Sequence, residues 1–171
     1  MSWSGFIKVE HRASGWGLDA KTFRQFAKAS WDACGEFWHE KILPGHFEVS
    51  ASRKYHYKRR NKKYEEKKER KWGHRKPLVW SGKMEATLTR SAQISATSKG
   101  VRVKLPNVKY IYAYDAGEPN KAEEVIRMSY RDQRRIANVF GEAMQKEIDA
   151  AERTQSRMQQ TLTRAGTPAG G

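Results

Sequence analysis

AQISATSKGVRVKL, residues Ala92–Leu105, decides the class of fold. Ala92, Ile94 and Ala96 alternate with Gln93, Ser95 and Thr97. After Ser98-Lys99-Gly100, Val101, Val103 and Leu105 alternate with Arg102 and Lys104. Side chains of a strand point to opposite faces in turn, so this pattern predicts an antiparallel hairpin with one buried and one wet face. Ser-Lys-Gly supplies the tight turn, and Pro106-Asn107 ends the second strand. A third strand is expected over Val108–Tyr114 (VKYIYAY), with Tyr110, Tyr112 and Tyr114 on one face and Ile111 and Ala113 on the other. Phe6, Ile7 and Val9 predict a short strand near the start.

Working outward, the period changes to that of helices. Upstream, Ser81 is the expected cap of a short helix, Lys83–Arg90, with Met84, Leu88 and Thr87 turned inward. Downstream, Asp115–Asn120 (DAGEPN) reads as a loop and Val125–Tyr130 as a fourth strand. Ser129, with Asp132 three residues on, resembles a capping box. Behind it Ile136, Val139, Phe140, Ala143, Met144, Glu147, Ile148 and Ala151 trace one helical face to about Arg157. Further upstream Asp19 is the expected cap of a helix carrying Phe23, Phe26, Ala27, Ser30, Trp31, Cys34, Phe37, Trp38 and Ile42 on one face. Pro44-Gly45 is expected to stop it, and His46–Ser52 to connect onward. Strands grouped together predict an α+β fold: a small antiparallel β-sheet, a meander, packed by two long amphipathic helices. Trp31, Phe37, Trp38, Val139, Phe140 and Ile148 are the expected core. One domain over residues 1–157 and a disordered tail over 158–171 complete the expectation.

Between the first helix and the hairpin lies Arg53–Lys76, RKYHYKRRNKKYEEKKERKWGHRK. Thirteen basic residues stand there against Glu65, Glu66 and Glu69, a net +10 within a chain of net charge +15. So lopsided a segment predicts a basic arm held out to a partner, either a polyanion or an acidic protein face. The residues expected to make subunit or DNA contacts are Arg53, Lys54, Lys58, Arg59, Arg60, Lys62, Lys63, Lys67, Lys68, Arg70 and Lys71. Tyr55, Tyr57, Tyr64 and Trp72 are interleaved with them as stacking or interface groups. The arm has almost no aliphatic residues, so it is expected to be extended or partly helical until bound. Gly73 breaks it, and Pro77, Leu78, Val79 and Trp80 form an extended apolar anchor for its return.

Other chemistries find little footing. Cys34 is the lone cysteine and sits among aromatics, which predicts a buried inert thiol. His11, His39, His46, His56 and His74 have no metal-finger or HExxH spacing, and no cofactor or metal is expected. No phosphate-binding or nucleophile motif occurs. Asp115, Glu118, Glu123 and Glu124 cluster beside a turn, where acids are ordinarily solvated. No apolar run is long enough for a membrane span, and the start is unlike a signal peptide, so an intracellular protein is expected.

Tyr55-x-Tyr57-x-x-Arg60-x-x-x-Tyr64, then Lys67, then Pro77-Leu78-Val79-Trp80-Ser81-Gly82-Lys83-Met84 behind a Gly-His pair, resembles small neck proteins of tailed bacteriophages, the tail-completion and head–tail joining family. The resemblance runs from about Gly45 through the last helix. It implies that the PLxxSG-x-hydrophobic segment opens a short helix (Pro77–Leu88), that a meander comes next (Ala92–Tyr114), and that a helix closes the unit (Arg131–Arg157). A long basic arm here replaces a shorter linker. The resemblance implies a structural virion protein, assembled in the host cytoplasm, whose copies form a ring joining head and tail. Its implied partners are copies of itself and neighbouring neck, portal-side or tail proteins, with DNA passing the lumen and no membrane. It implies no catalytic residues. The rival reading from the residues alone is a nucleic-acid-binding accessory module using the basic aromatic arm; an enzyme acting on nucleic acid is a third, without a motif.

Overall fold

A computed structural model describes residues 5–7, 19–58, 60–108 and 121–165. The fold is α+β. Strand β1 (Gly5–Ile7) is succeeded by helix α1 (Ala20–Phe37), whose start is set by Asp19: its Oδ1 accepts from the backbone N–H of Lys21 and Thr22 at 2.8 and 2.9 Å. Burial of Ala27, Ser30, Trp31 and Cys34 matches the expected stripe.

The helical path does not stop at Pro44. It widens into a π turn over Trp38–Ile42 and tightens into a 3-10 turn over Leu43–Phe47 that contains Pro44-Gly45. Proline sits in the first positions of that turn, where its missing N–H has no intrahelical partner to lose. The expected connector is therefore largely helical, and Leu43, His46 and Phe47 are fully buried. Short α2 (Ala51–Lys54), α3 (Lys62–Trp72) and α4 (Lys83–Arg90) come next. Gly82, at φ +79°, occupies the cap of α4 in place of Ser81, which makes no capping bond. Met84 and Leu88 face inward as expected, but Thr87 is exposed and bonds the Lys83 carbonyl one turn back.

The hairpin is present as read: β2 (Gln93–Thr97) and β3 (Gly100–Lys104) pair antiparallel from Gln93↔Lys104 to Thr97↔Gly100. β1 adds to the other edge of β3, giving the order β1-β3-β2. The expected strand over Val108–Tyr114 lies outside the described residues after Val108. Val125–Tyr130 is not a strand. Val125 ends α5 (Lys121–Val125), residues 126–129 turn the chain, and Tyr130 begins α6 (Tyr130–Ala165), with Ala122 and Val125 buried at helical spacing and Ser129 capping α6. The Asp132 N–H bonds Ser129 Oγ at 3.2 Å, and Ser129 Oγ–H bonds Asp132 Oδ2 at 2.6 Å. α6 also continues past Arg157 to Ala165, so 158–165 is helix in place of the expected disordered tail.

α1 is the shared element of the core. Trp31 meets Phe140 of α6 with ring centroids 4.8 Å apart. Cys34 Sγ lies 3.6 Å from the Ile136 carbonyl, and Ala27 clusters with Met144 and Ile148. At Gly35 the helix meets the hairpin so closely that a Cβ there would stand 2.7 Å from Ile94 Cγ2 and 2.8 Å from Val101 Cγ2. Trp38, Phe140 and Ile148 are buried as expected, with Phe37 and Val139 packed at the edge.

Candidate functional site

The basic segment begins inside the protein. Ala51, Tyr55 and Tyr57 form a buried cluster of their own, with Leu78 of the returning chain packed against it. The ring of His46 stacks on Tyr55 at 3.8 Å between centroids and 9° between planes. His46 Nδ1 and the Tyr57 hydroxyl are 2.5 Å apart. Burial pushes His46 down to about 4 and the Tyr57 phenol upward, so the neutral imidazole accepts and the phenol donates. A solvent-free His–Tyr pair of this kind is a buttress. The expectation that Tyr55 and Tyr57 face a partner is thus corrected: both are under 10 % exposed, packed with Ala51 and against His46 of the turn over Leu43–Phe47.

Acids from α5 and α6 then clasp this root. Lys54 Nζ donates to Asp132 Oδ1 at 2.8 Å and to the Tyr55 hydroxyl at 2.9 Å. Burial works against both charges, yet the mutual bond wins: it holds Lys54 above, and Asp132 below, their ordinary pKa values. Arg60 pairs with buried Glu124, whose carboxyl is raised by burial despite that guanidinium. Arg127 Nη1 donates to the His56 carbonyl at 2.8 Å, securing a residue in the left-handed region at φ 53°. The bend at His56 and a second at Leu78, φ 57°, mark where the chain leaves and rejoins the body.

Beyond the root, α3 forms without a core face of its own. Asn61 accepts from the Lys63 N–H at 2.9 Å, and left-handed Gly73 closes the other end onto the Glu69 carbonyl at 2.8 Å. Lys62, Lys63, Lys67, Arg70 and Lys71 are exposed, as are Arg53 and Lys58 before them. Trp72 is 41 % exposed, with the Lys71 ammonium 5.3 Å from its ring. Arg59 lies outside the described residues. The return segment, expected to be extended, instead turns at Pro77-Leu78, with Pro77 and Val79 buried and Trp80 stacked on Tyr64 at 5.3 Å.

Between α3 and that return lies a cleft of about 520 Å³. Tyr64, Trp80, Pro77, Leu78 and Met84 give it apolar and aromatic surface. Arg60, Lys68, Arg75, Lys83 and Lys121 ring it with five cations, against the single acid Glu65. Lys68 is the unexpected member, since the middle of a charged helix reads as solvent-facing. It is 3 % exposed, and its Nζ donates to the Lys76 carbonyl and lies 5.9 Å from the Tyr64 ring. Burial, and then Arg60 nearby, push its amine down to about 8.

The chain matches no family model, no curated protein and no solved structure. The chemistry of the site therefore rests on its own geometry. Of the expected contact residues, the structure gathers Arg60, Tyr64 and Lys68 at the cleft, beside the anchor residues Pro77, Leu78 and Trp80, and spreads the exposed lysines of α3 outside it. Sequence reading misses Lys83 and Lys121, which arrive from other elements, and the clasping acids Glu124 and Asp132. By sequence Glu124 groups with Asp115, Glu118 and Glu123 as a scattered acid. Glu123 is exposed, and Asp115 and Glu118 lie outside the described residues. The available signal is position: Glu124 and Asp132 each stand where a helical turn carries them inward beside apolar residues. Among the described residues no three His, Cys, Asp or Glu side chains gather as a metal site, and no helix is long and apolar enough to cross a membrane.

Proposed function

We propose that this chain is a structural protein of the neck of a tailed phage, whose copies build a ring between head and tail. What carries the reading is the segment Pro77–Met84. It leads into α4, the β2–β3 hairpin and the long α6, the order that the resemblance to neck proteins implies. The basic helix α3 fits such a role because its root is clasped by Asp132 and Glu124 while its lysines face outward. In a ring it meets the next subunit or the DNA in the lumen. The reading has no catalytic residue and no cofactor, and it puts the protein in the virion.

Electron micrographs of the concentrated protein, alone and with neck, portal-side or tail proteins of the same phage, test it. Closed rings are expected. A monomer under all these conditions, absent from purified particles, overturns the reading.

The exposed cations of α3 favour a second reading, a nucleic-acid-binding module. Substituting Lys62, Lys63, Lys67 and Lys71 with glutamine separates the two without touching the core. A binding module loses its salt-dependent DNA affinity, with a slope reduced by ~0.9 for each phosphate contact removed. A ring whose subunits meet through α3 loses assembly instead.

A further inference from the structure

We propose that the cleft between α3 and the Arg75–Met84 return is a binding site for a nucleotide, its phosphate held by the cations and its base laid against the aromatic pair. The inference stands whether or not the chain builds rings. The cleft's volume, about 520 Å³, falls within the range of small-ligand sites, ~300–1,000 Å³. Its walls are chemically divided. Cations converge from separate elements: Lys68 from α3, Lys83 from α4 and Lys121 from α5. The aromatic surface is the Tyr64–Trp80 stack, tilted by 30°, with Leu78 and Met84 beside it. An anion alone would leave the aromatic wall unused, and an apolar ligand would leave Lys68, Lys83 and Lys121 facing it, Arg60 and Arg75 being paired with Glu124 and Glu69. A phosphate carried on a planar ring uses both.

Lys68 is the observation that separates this cleft from an ordinary basic surface. The buried acids Asp132 and Glu124 each face a cation, Lys54 and Arg60. Lys68 is buried to a similar degree, but its ammonium bonds the Lys76 carbonyl, and no ion pair holds it among the described residues. A buried charge without a counter-charge is costly to the fold, and a phosphate in the cleft supplies the missing one. Arg60 and Glu65 also face this amine. The first disfavours its charge and the second favours it, with burial the larger influence lowering its pKa.

The same chemistry is offered by a free nucleotide and by the phosphorylated end of a strand. Titration calorimetry on the full chain uses thymidine monophosphate, a 5′-phosphorylated oligothymidylate, the same oligonucleotide without the phosphate, and inorganic phosphate. Saturable one-to-one binding of the monophosphate assigns the site to free nucleotides. Binding of the phosphorylated strand alone assigns it to strand ends. In either case Lys68→Met and Trp80→Leu weaken binding by ~10- to 100-fold, the loss of one charge-assisted bond or one stacked base. Lys28→Gln with Lys146→Gln, at exposed positions of α1 and α6 outside the cleft lining, leaves that binding within about twofold. Lys68→Met also removes the buried charge, so its thermal unfolding shows whether the fold is kept. If it is not, Lys83→Gln, at an exposed position of α4, replaces it. The proposal is overturned if neither phosphorylated ligand saturates, if the unphosphorylated strand binds equally well, or if Trp80→Leu and a folded lysine variant of the cleft bind as the unaltered chain does.

Discussion

Alanine at Gly35 and alanine at Gly141 make the same chemical change inside two helices and are expected to act in opposite directions. At Gly141, in α6, an added Cβ meets nothing within 4 Å. Only the backbone preference is felt there, and alanine stabilises by ~1 kcal/mol. At Gly35 the same methyl stands 2.7 Å from Ile94 Cγ2 and 2.8 Å from Val101 Cγ2. Carbon atoms settle at ~3.5–4.0 Å, so the hairpin must retreat by about 1 Å. Ile94 and Val101 are β-branched and cannot swing clear by a simple rotation. Overpacking of this kind costs ~1–3 kcal/mol, and the helical preference of alanine offsets ~1 of it. Gly35→Ala is therefore expected to destabilise by up to ~2 kcal/mol and Gly141→Ala to stabilise by ~1. For a chain of this size each kcal/mol moves Tm by ~2–4 °C. Urea unfolding monitored by far-ultraviolet circular dichroism measures both. The difference between the two variants is the clash itself, with the shared backbone term removed. A Gly35→Ala protein as stable as Gly141→Ala would refute the close seating of α1 on the hairpin.

Three buried groups, Asp132, His46 and Cys34, give further expected outcomes. Asp132→Asn should destabilise by ~1–3 kcal/mol, less than a fully buried pair because Lys54 is about a third exposed, and a double-mutant cycle with Lys54→Met should recover most of the loss. The Asp132 carboxyl sits below its ordinary pKa, so its contribution is complete above pH ~4 and disappears as pH falls through the lowered native value; a flat acid-unfolding profile would contradict this. His46 is pushed down to about 4, so between pH 6.5 and 4 the unfolded chain binds a proton that the native state refuses. Stability should fall by ~3 kcal/mol across that window. In His46→Gln this loss should vanish, as pH-dependent urea midpoints can establish. Cys34 is raised to about 12 by burial, so the native protein should ignore a thiol-specific disulfide reagent that reacts fully in denaturant; fast native labelling would show the thiol is open.

Much of this fold is legible because its signals are local. The period-two run of Ala92–Leu105, the Asp19 cap and the stripes of α1 and α6 each need only neighbouring residues, and each appears as read. The misreadings share a cause: a distant contact outweighs a local rule. Pro44 does not end the helical path because Leu43 and Phe47 gain burial by continuing it. Tyr55 and Tyr57 belong to the core because His46 stacks beneath them, which spacing along the chain does not announce. The cleft is half legible. Arg60, Tyr64, Lys68 and Trp80 stand out in the sequence, yet their convergence depends on the bends at His56 and Leu78 and on lysines brought by α4 and α5.

The clasp on the basic segment also sets an order of events in synthesis. Arg60 must wait 64 residues for Glu124, the His56 carbonyl 71 for Arg127, and Lys54 78 for Asp132. At ~5–20 residues per second this interval is roughly 3–16 s. Throughout it the growing chain carries an unseated polycation beside the RNA of its own ribosome. Only when the start of α6 has emerged can the root close over His46 and fix α3 in position. A chain cut short before Lys121 would lack every one of these closing partners, and would present its positive charge as a loose strand instead of a held helix.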